Sequence, residues 1–113
     1  MKGDALYLIH ISECIERIES YMDVRDRQAF MASTLIQDAV LRNLQVLCES
    51  TQQLSESMKA AHPEIEWRQI AGLRNVLVHN YLGVDLERVW LLLSQDLPAL
   101  ERAIAAMREE LGT

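Results

Sequence analysis

The run Pro63-Glu-Ile-Glu-Trp-Arg-Gln-Ile-Ala-Gly-Leu-Arg-Asn-Val-Leu-Val-His-Asn-Tyr-Leu-Gly83 decides the fold class. Trp67, Ile70, Ala71, Arg74, Val78 and Tyr81 recur at spacings of three and four, which is one face of a helix and not the alternation of a strand. Pro63 suits a first helical position, where its missing N–H is no loss, and Glu64 and Glu66 in the first turn complement the helix dipole. Gly just past a helix supplies a left-handed stop. The spacing therefore predicts a helix from His62-Pro63-Glu64 to about Tyr81–Gly83.

The same period extends in both directions. Leu8, Ile11, Ile15, Ile18 and Met22 form a stripe on a helix that Asp4 is placed to cap. Ile36, Val40, Leu44, Leu47, Leu54 and Met58 support a second helix from near Asp26 to about Lys59, ~50 Å if continuous, which should bend or protrude. Downstream, Asp85 caps a helix striped by Val89, Trp90, Leu93, Leu97, Leu100, Ile104, Met107 and Leu111, and Pro98 should kink or split it. Four glycines and two prolines in 113 residues leave little room for the turns of a sheet-rich fold. The expectation is an all-α, antiparallel four-to-five-helix bundle, one domain over residues 1–113, with no repeats or linkers.

Charge narrows the function. With 11 Lys+Arg against 17 Asp+Glu the net charge is −6, the wrong sign for holding nucleic acid by bulk electrostatics, so any RNA contact needs a local positive field. Cys14 and Cys48 sit among helix-periodic apolar residues without CxxC spacing and read as reduced core thiols. Ala5 to Ile9 is interrupted by His10, Ser12 and Glu13 before a signal-peptide core forms, and no apolar run approaches a membrane span. A soluble, cytoplasmic protein is expected. No glycine-rich phosphate loop, HExxH, ExxH or GxSxG is present, so neither a resident cofactor nor a metal is expected.

What remains is the polar cluster in the quoted helix. Arg74 falls on its apolar stripe, and a half-buried Arg needs an anion: a carboxylate on another helix, or a phosphate from outside. His79 is five residues on, ~140° around and ~7.5 Å along the axis, so it does not share the face of Arg74. Asn75 does share a face with His79. One protomer is thus a poor active site, whereas two-fold pairing of this helix would gather both copies around one axis. Taken alone, His79 is equally a helix-end histidine bonded to a carbonyl, and the plain alternative for Tyr81 is a core or interface tyrosine with a satisfied hydroxyl.

Arg74-Asn75-x3-His79-x-Tyr81 resembles the motif of HepT-like toxins, members of the HEPN ribonuclease superfamily that pair with MntA-type nucleotidyltransferase antitoxins. Pro63-Glu64-Ile65-x-Trp67-Arg68-x-Ile70-Ala71-Gly72-Leu73, Arg42-Asn43-Leu44, Gly83-Val84-Asp85, Val89-Trp90 and Asp96-Leu97-Pro98-x-Leu100 extend the likeness over essentially the whole chain. Cys48-Glu49-Ser50 departs from the Gly-Glu-Ala that relatives often carry. The resemblance implies a homodimeric toxin that cuts RNA, tRNA or mRNA being the candidates, without a metal at the dimer interface. Arg74 and His79 would be catalytic, and Asn75, Arg68, Glu49 and Arg42 supporting; Arg42 and Glu49 share a face and could simply pair along their helix. It also implies that the antitoxin, using ATP and Mg, adenylylates Tyr81. Two other classes stay open: a non-catalytic helical subunit that binds nucleotide or the nucleotidyltransferase, and a purely structural bundle.

Overall fold

The computed structural model describes residues 2–23, 26–79 and 83–113, and among these there is no strand. The elements are α1 (Lys2–Met22), α2 (Arg27–Ala32), α3 (Thr34–Gln52), α4 (Glu56–Ala60), α5 (Trp67–His79), α6 (Leu86–Leu91), a π-helical turn over Leu92–Asp96, and α7 (Leu97–Leu111). The all-α expectation holds. α3 packs on α1 and on α5, and α1 packs also on α7. Leu8, Ile11, Ile15 and Ile18 of α1, Val40, Leu44 and Leu47 of α3, and Ile104 and Met107 of α7 are the buried core, as their periodicity requires. No helix among the described residues is long and apolar enough to cross a membrane.

The single long helix expected from Asp26 to Lys59 is three helices. Asp26 does start the first, accepting a bond from the Ala29 N–H at 2.9 Å. Ser33 then takes an extended conformation (φ −122°, ψ 106°) and its hydroxyl accepts from Ile36 N–H, which ends α2 and caps α3. The second break is at Gln53–Ser55, where Ser55 caps α4 through Met58 N–H. Asp4 is not the cap of α1, which begins before it at Lys2. Its carboxylate instead reaches across the bundle to the N–H (2.8 Å) and hydroxyl (2.7 Å) of Ser55. Burial works against the ionised Asp4, but the two Ser55 bonds outweigh it and hold its pKa below the usual carboxylate value. A serine that could continue a helix is thus recruited as a cap and as a tie to α1.

Pro63 does not start a helix either. The Ile65 N–H bonds the His62 carbonyl, so Pro63 takes the second position of a tight turn, which its fixed φ suits equally well. α5 starts four residues later at Trp67. Its start is pinned by the Trp67 indole N–H, shared between the carbonyls of Lys59 (3.0 Å) and His62 (3.1 Å). Asp85 caps α6 as expected, through Glu87 N–H. Pro98 lies in the first turn of α7, directly after the π-helical turn. The wider turn accommodates a residue with no N–H to return and a ring that would collide with the carbonyl four residues back. α6, the π turn and α7 then run ~39 Å end to end, matching the 41 Å long axis of the molecule. Cys14 and Cys48 are buried free thiols, and burial pushes the Cys48 thiol up to about 12.

His62, only 8% exposed, clasps the turn before α5 to the end of α7. Its Nδ1 lies 3.2 Å from Glu64 and its Nε2 3.2 Å from Glu110. Burial opposes the charged imidazolium, but the two carboxylates prevail and raise the His62 pKa, while Glu64, held by its own backbone N–H and by His62, is lowered. A raised histidine contributes stability that is complete below its unfolded pKa and is lost as pH rises through the folded value; the lowered Glu64 contributes above its usual pKa and is lost as pH falls. The clasp is therefore strongest between the two. We expect the stability difference between wild type and His62→Gln, from urea unfolding, to be larger at about pH 5.5 than at about pH 8.5. Equal differences would show that the clasp is held by neutral hydrogen bonds.

Candidate functional site

α5 packs on α3, and Leu44, Leu47 and Cys48 of α3 line one cavity with Ile65, Ile70 and Leu73. Leu77 is buried, which sets the inner face of α5. Trp67, Ala71, Arg74 and Val78 lie half-buried along one edge. Arg68, Gly72, Asn75, Val76 and His79 are exposed. Arg74 is thus at the boundary between core and solvent, and His79 is the last described residue of the helix, on the outer side.

Arg74 keeps no carboxylate among the described residues, so a salt bridge to another helix is not what satisfies it there. Its Nε is buried without any hydrogen-bond partner. Its Nη1 makes one long bond, 3.4 Å, to Oδ1 of Asn75. Asn75, which shares the exposed line of His79, thereby accepts from the guanidinium of Arg74. No described residue hydrogen-bonds the His79 ring. Five residues of regular helix still separate Arg74 and His79, so one copy does not close a site around a phosphate.

The supporting residues fall into two groups. Arg68 is exposed one turn before Gly72 on the same outer line as Asn75 and His79. On α3, Glu49 bonds the Gln45 amide (3.3 Å) instead of pairing with Arg42, which is exposed. Tyr81, and the expected helix end at Tyr81–Gly83, lie outside the described residues. Gly72 faces open space: a Cβ built there meets nothing within 4 Å.

One charge feature emerges only when the helix is set against the whole chain. Between Glu66 and Asp85 there is no Asp or Glu, in a protein that has 17. α5 therefore carries Arg68 and Arg74 and no acid on an acidic molecule. The cavity of about 140 Å³ between α5 and α7 is a different place: Ile70, Leu73, Leu97 and Leu100 line it with Glu66 and Asp96, and neither Arg74 nor His79 does. Sequence reading missed His62 and the Trp67 indole, which fix where α5 begins; the signal available was His-Pro-Glu directly before the helix.

The profile of the family described as Ribonuclease HepT-like matches residues 11–107, nearly the whole bundle. The chain belongs to the HepT-like ribonuclease family. A Thermococcus cleftensis relative named "Probable ribonuclease HepT" is 34% identical over 103 residues, covering 91% of this chain and 94% of that protein. A Methanocaldococcus jannaschii relative named "Gamma-glutamylcyclotransferase and putative RNase" is 35% identical over 110 residues, 97% of this chain. The chain spans half the length of that second protein. No solved structure matches.

Proposed function

We propose that this HepT-like chain is a toxin ribonuclease that cuts RNA without a metal, at a site assembled from two copies of α5 and silenced by adenylylation of Tyr81. The observation that carries the reading is the buried, unpartnered Nε of Arg74 on a helix without acids. A guanidinium in that position is suited to an incoming phosphate, which it can hold by two parallel bonds and whose added transition-state charge it can stabilise. An imidazole can accept or donate a proton, so His79 can remove the proton of a ribose 2′-OH or deliver one to the leaving 5′-oxygen. The 2′-oxygen attacks phosphorus, the P–O5′ bond breaks, and a cyclic phosphate remains. Two copies supply two Arg74–His79 combinations, each with one histidine, and water completes the second proton transfer. The test is cleavage of RNA by purified protein in EDTA, with Arg74 and His79 variants as controls.

Pairing of α5 carries the reading, because one copy separates Arg74 from His79. Val76, 41% exposed beside that line, is the apolar residue placed to meet its mate. We expect Val76→Glu to weaken dimerisation at least tenfold by sedimentation, and to lose cleavage in proportion. Monomer stability should stay within about 0.5 kcal/mol, as for other surface changes. A dimer unaffected by the charge would place the seam elsewhere.

Tyr81 follows the described part of α5 by two residues. In the proposed step its hydroxyl oxygen attacks the α-phosphorus of ATP, pyrophosphate leaves and the phenolic proton goes to solvent, the partner nucleotidyltransferase supplying ATP and Mg. The AMP brings a bulky anion next to the RNA site and repels substrate phosphate. Co-expression with the nucleotidyltransferase should add one AMP mass to wild type and none to Tyr81→Phe. A stable complex with that partner and no cleavage in either state would favour the non-catalytic subunit instead, a reading that the separation of Arg74 from His79 within one copy also suits.

A further inference from the structure

The exposed line of α5 is longer than a scissile phosphate needs. Arg68, Gly72, Asn75 and His79 follow at intervals of four, three and four residues, all exposed, within about 60° around the axis and over ~16 Å along it. Arg17, Arg27 and Lys59 are paired with Glu13, Glu87 and Glu56, whereas Arg42, Arg88 and Arg102 are exposed without a carboxylate among the described residues, though none of these lies on the line that carries His79. Arg68 has no such carboxylate among the described residues, and none occurs between Glu66 and Asp85 in the chain. At the middle of the line, Gly72 has no side chain and nothing within 4 Å of the place where one would begin.

We propose that Arg68 is a second, remote phosphate contact, and that a single RNA strand lies along α5 from the His79 end to Arg68. The inference rests on the ribonuclease reading of the same helix. With the reacting phosphate near Arg74 and His79, the strand passes Asn75 on the side of the line away from Val76, where the mate is placed. It then meets the forked guanidinium of Arg68, which pairs with the non-bridging oxygens of a phosphate a few nucleotides away. Such a contact carries no base information and acts through charge, so it sets how tightly a strand is held and how long it must be. A flexible strand can follow a straight helix over that distance, whereas the backbone of an A-form duplex curves away.

The experiment compares a single-stranded octanucleotide with a dinucleoside monophosphate as substrates of the full-length protein. Arg68→Ala should raise KM for the octanucleotide about tenfold with kcat changed less than twofold, and flatten the dependence of log(1/KM) on log salt by about 0.7. On the dinucleotide the KM loss should shrink to within twofold. Arg68→Lys, which keeps the charge, should recover most of the octanucleotide KM. An equal loss on both substrates would place Arg68 at the reacting phosphate, and a loss confined to kcat, or none, would equally overturn the proposal. Octanucleotide binding in the His79→Ala background, read by anisotropy, separates this inference from its foundation. A tenfold weakening by Arg68→Ala there, with no cleavage by wild type, keeps the contact and discards the ribonuclease reading. Cleavage by wild type with binding indifferent to Arg68 discards the contact alone.

Discussion

Replacing Arg74 or His79 by alanine should lower the rate of RNA cleavage in EDTA by about a hundredfold to a thousandfold for Arg74, and by about a hundredfold to ten-thousandfold for His79. The ranges are those of a removed transition-state charge donor and of a removed acid or base. His79 is exposed at the end of α5, and Arg74 already has an unsatisfied Nε, so neither truncation strips the core of a satisfied partner. Unfolding midpoints should therefore stay near wild type while activity collapses. Arg74→Lys keeps a charge but not the fork, and should recover only part of the loss. Cleavage unchanged in both alanine variants would sink the proposed site.

The same pair tests whether the site spans two copies. If Arg74 of one copy works with His79 of its mate, co-expressing the two alanine variants at equal levels yields mixed dimers that retain one intact combination. About a quarter of the wild-type rate should return. If both residues act from one chain, mixing restores nothing. The five-residue separation on a regular helix is why we expect rescue, since it aims the two side chains ~140° apart and no bend in α5 brings them together.

Why some of this was legible in the sequence and some was not comes down to the range of the forces involved. The stripes of α1 and α7 are set by burial, which repeats every turn and is visible as periodicity, so the all-α bundle and most of its core could be read directly; on α5 the periodicity put Arg74 and Val78 on the buried face, which instead centres on Leu77. Breaks are set by single hydrogen bonds. Ser33 and Ser55 are each compatible with a continuing helix, and what stops the chain is a hydroxyl accepting one N–H, reinforced at Ser55 by Asp4 from 51 residues away. Pro63 shows the same ambiguity, because a φ near −65° serves a turn as well as a helix start. At the site, residue types and spacing were legible, but the Arg74–Asn75 bond was not, because helical geometry alone groups Asn75 with His79.

The short helix α2, invisible in the periodicity, yields the largest stability effect we expect. Phe30 is fully buried, and its ring lies 5.9 Å from that of Trp90 on α6, tilted by 35°. Its carbonyl, with that of Met31, takes the two N–H groups of the buried Gln37 amide from α3, each at 3.0 Å. Phe30 is thus where α2, α3 and α6 meet. Phe30→Ala should cost about 3–5 kcal/mol, the transfer free energy of the ring plus the cavity left beside Trp90. Against a total of about 5–15 kcal/mol for a domain, that is a large share, and the urea midpoint should fall by more than about 1 M. Phe30→Leu refills part of the space and should lose less than half as much. The other link between α2 and α6 is the Arg27–Glu87 ion pair, whose side chains are each 53% exposed. Water and salt screen such a pair, so Arg27→Ala should cost no more than about 1 kcal/mol. If the two alanine variants proved equally destabilised, α2 would be held by charge and not by its ring. The order we expect follows from burial: the ring has no water to return to, and the ion pair never left it.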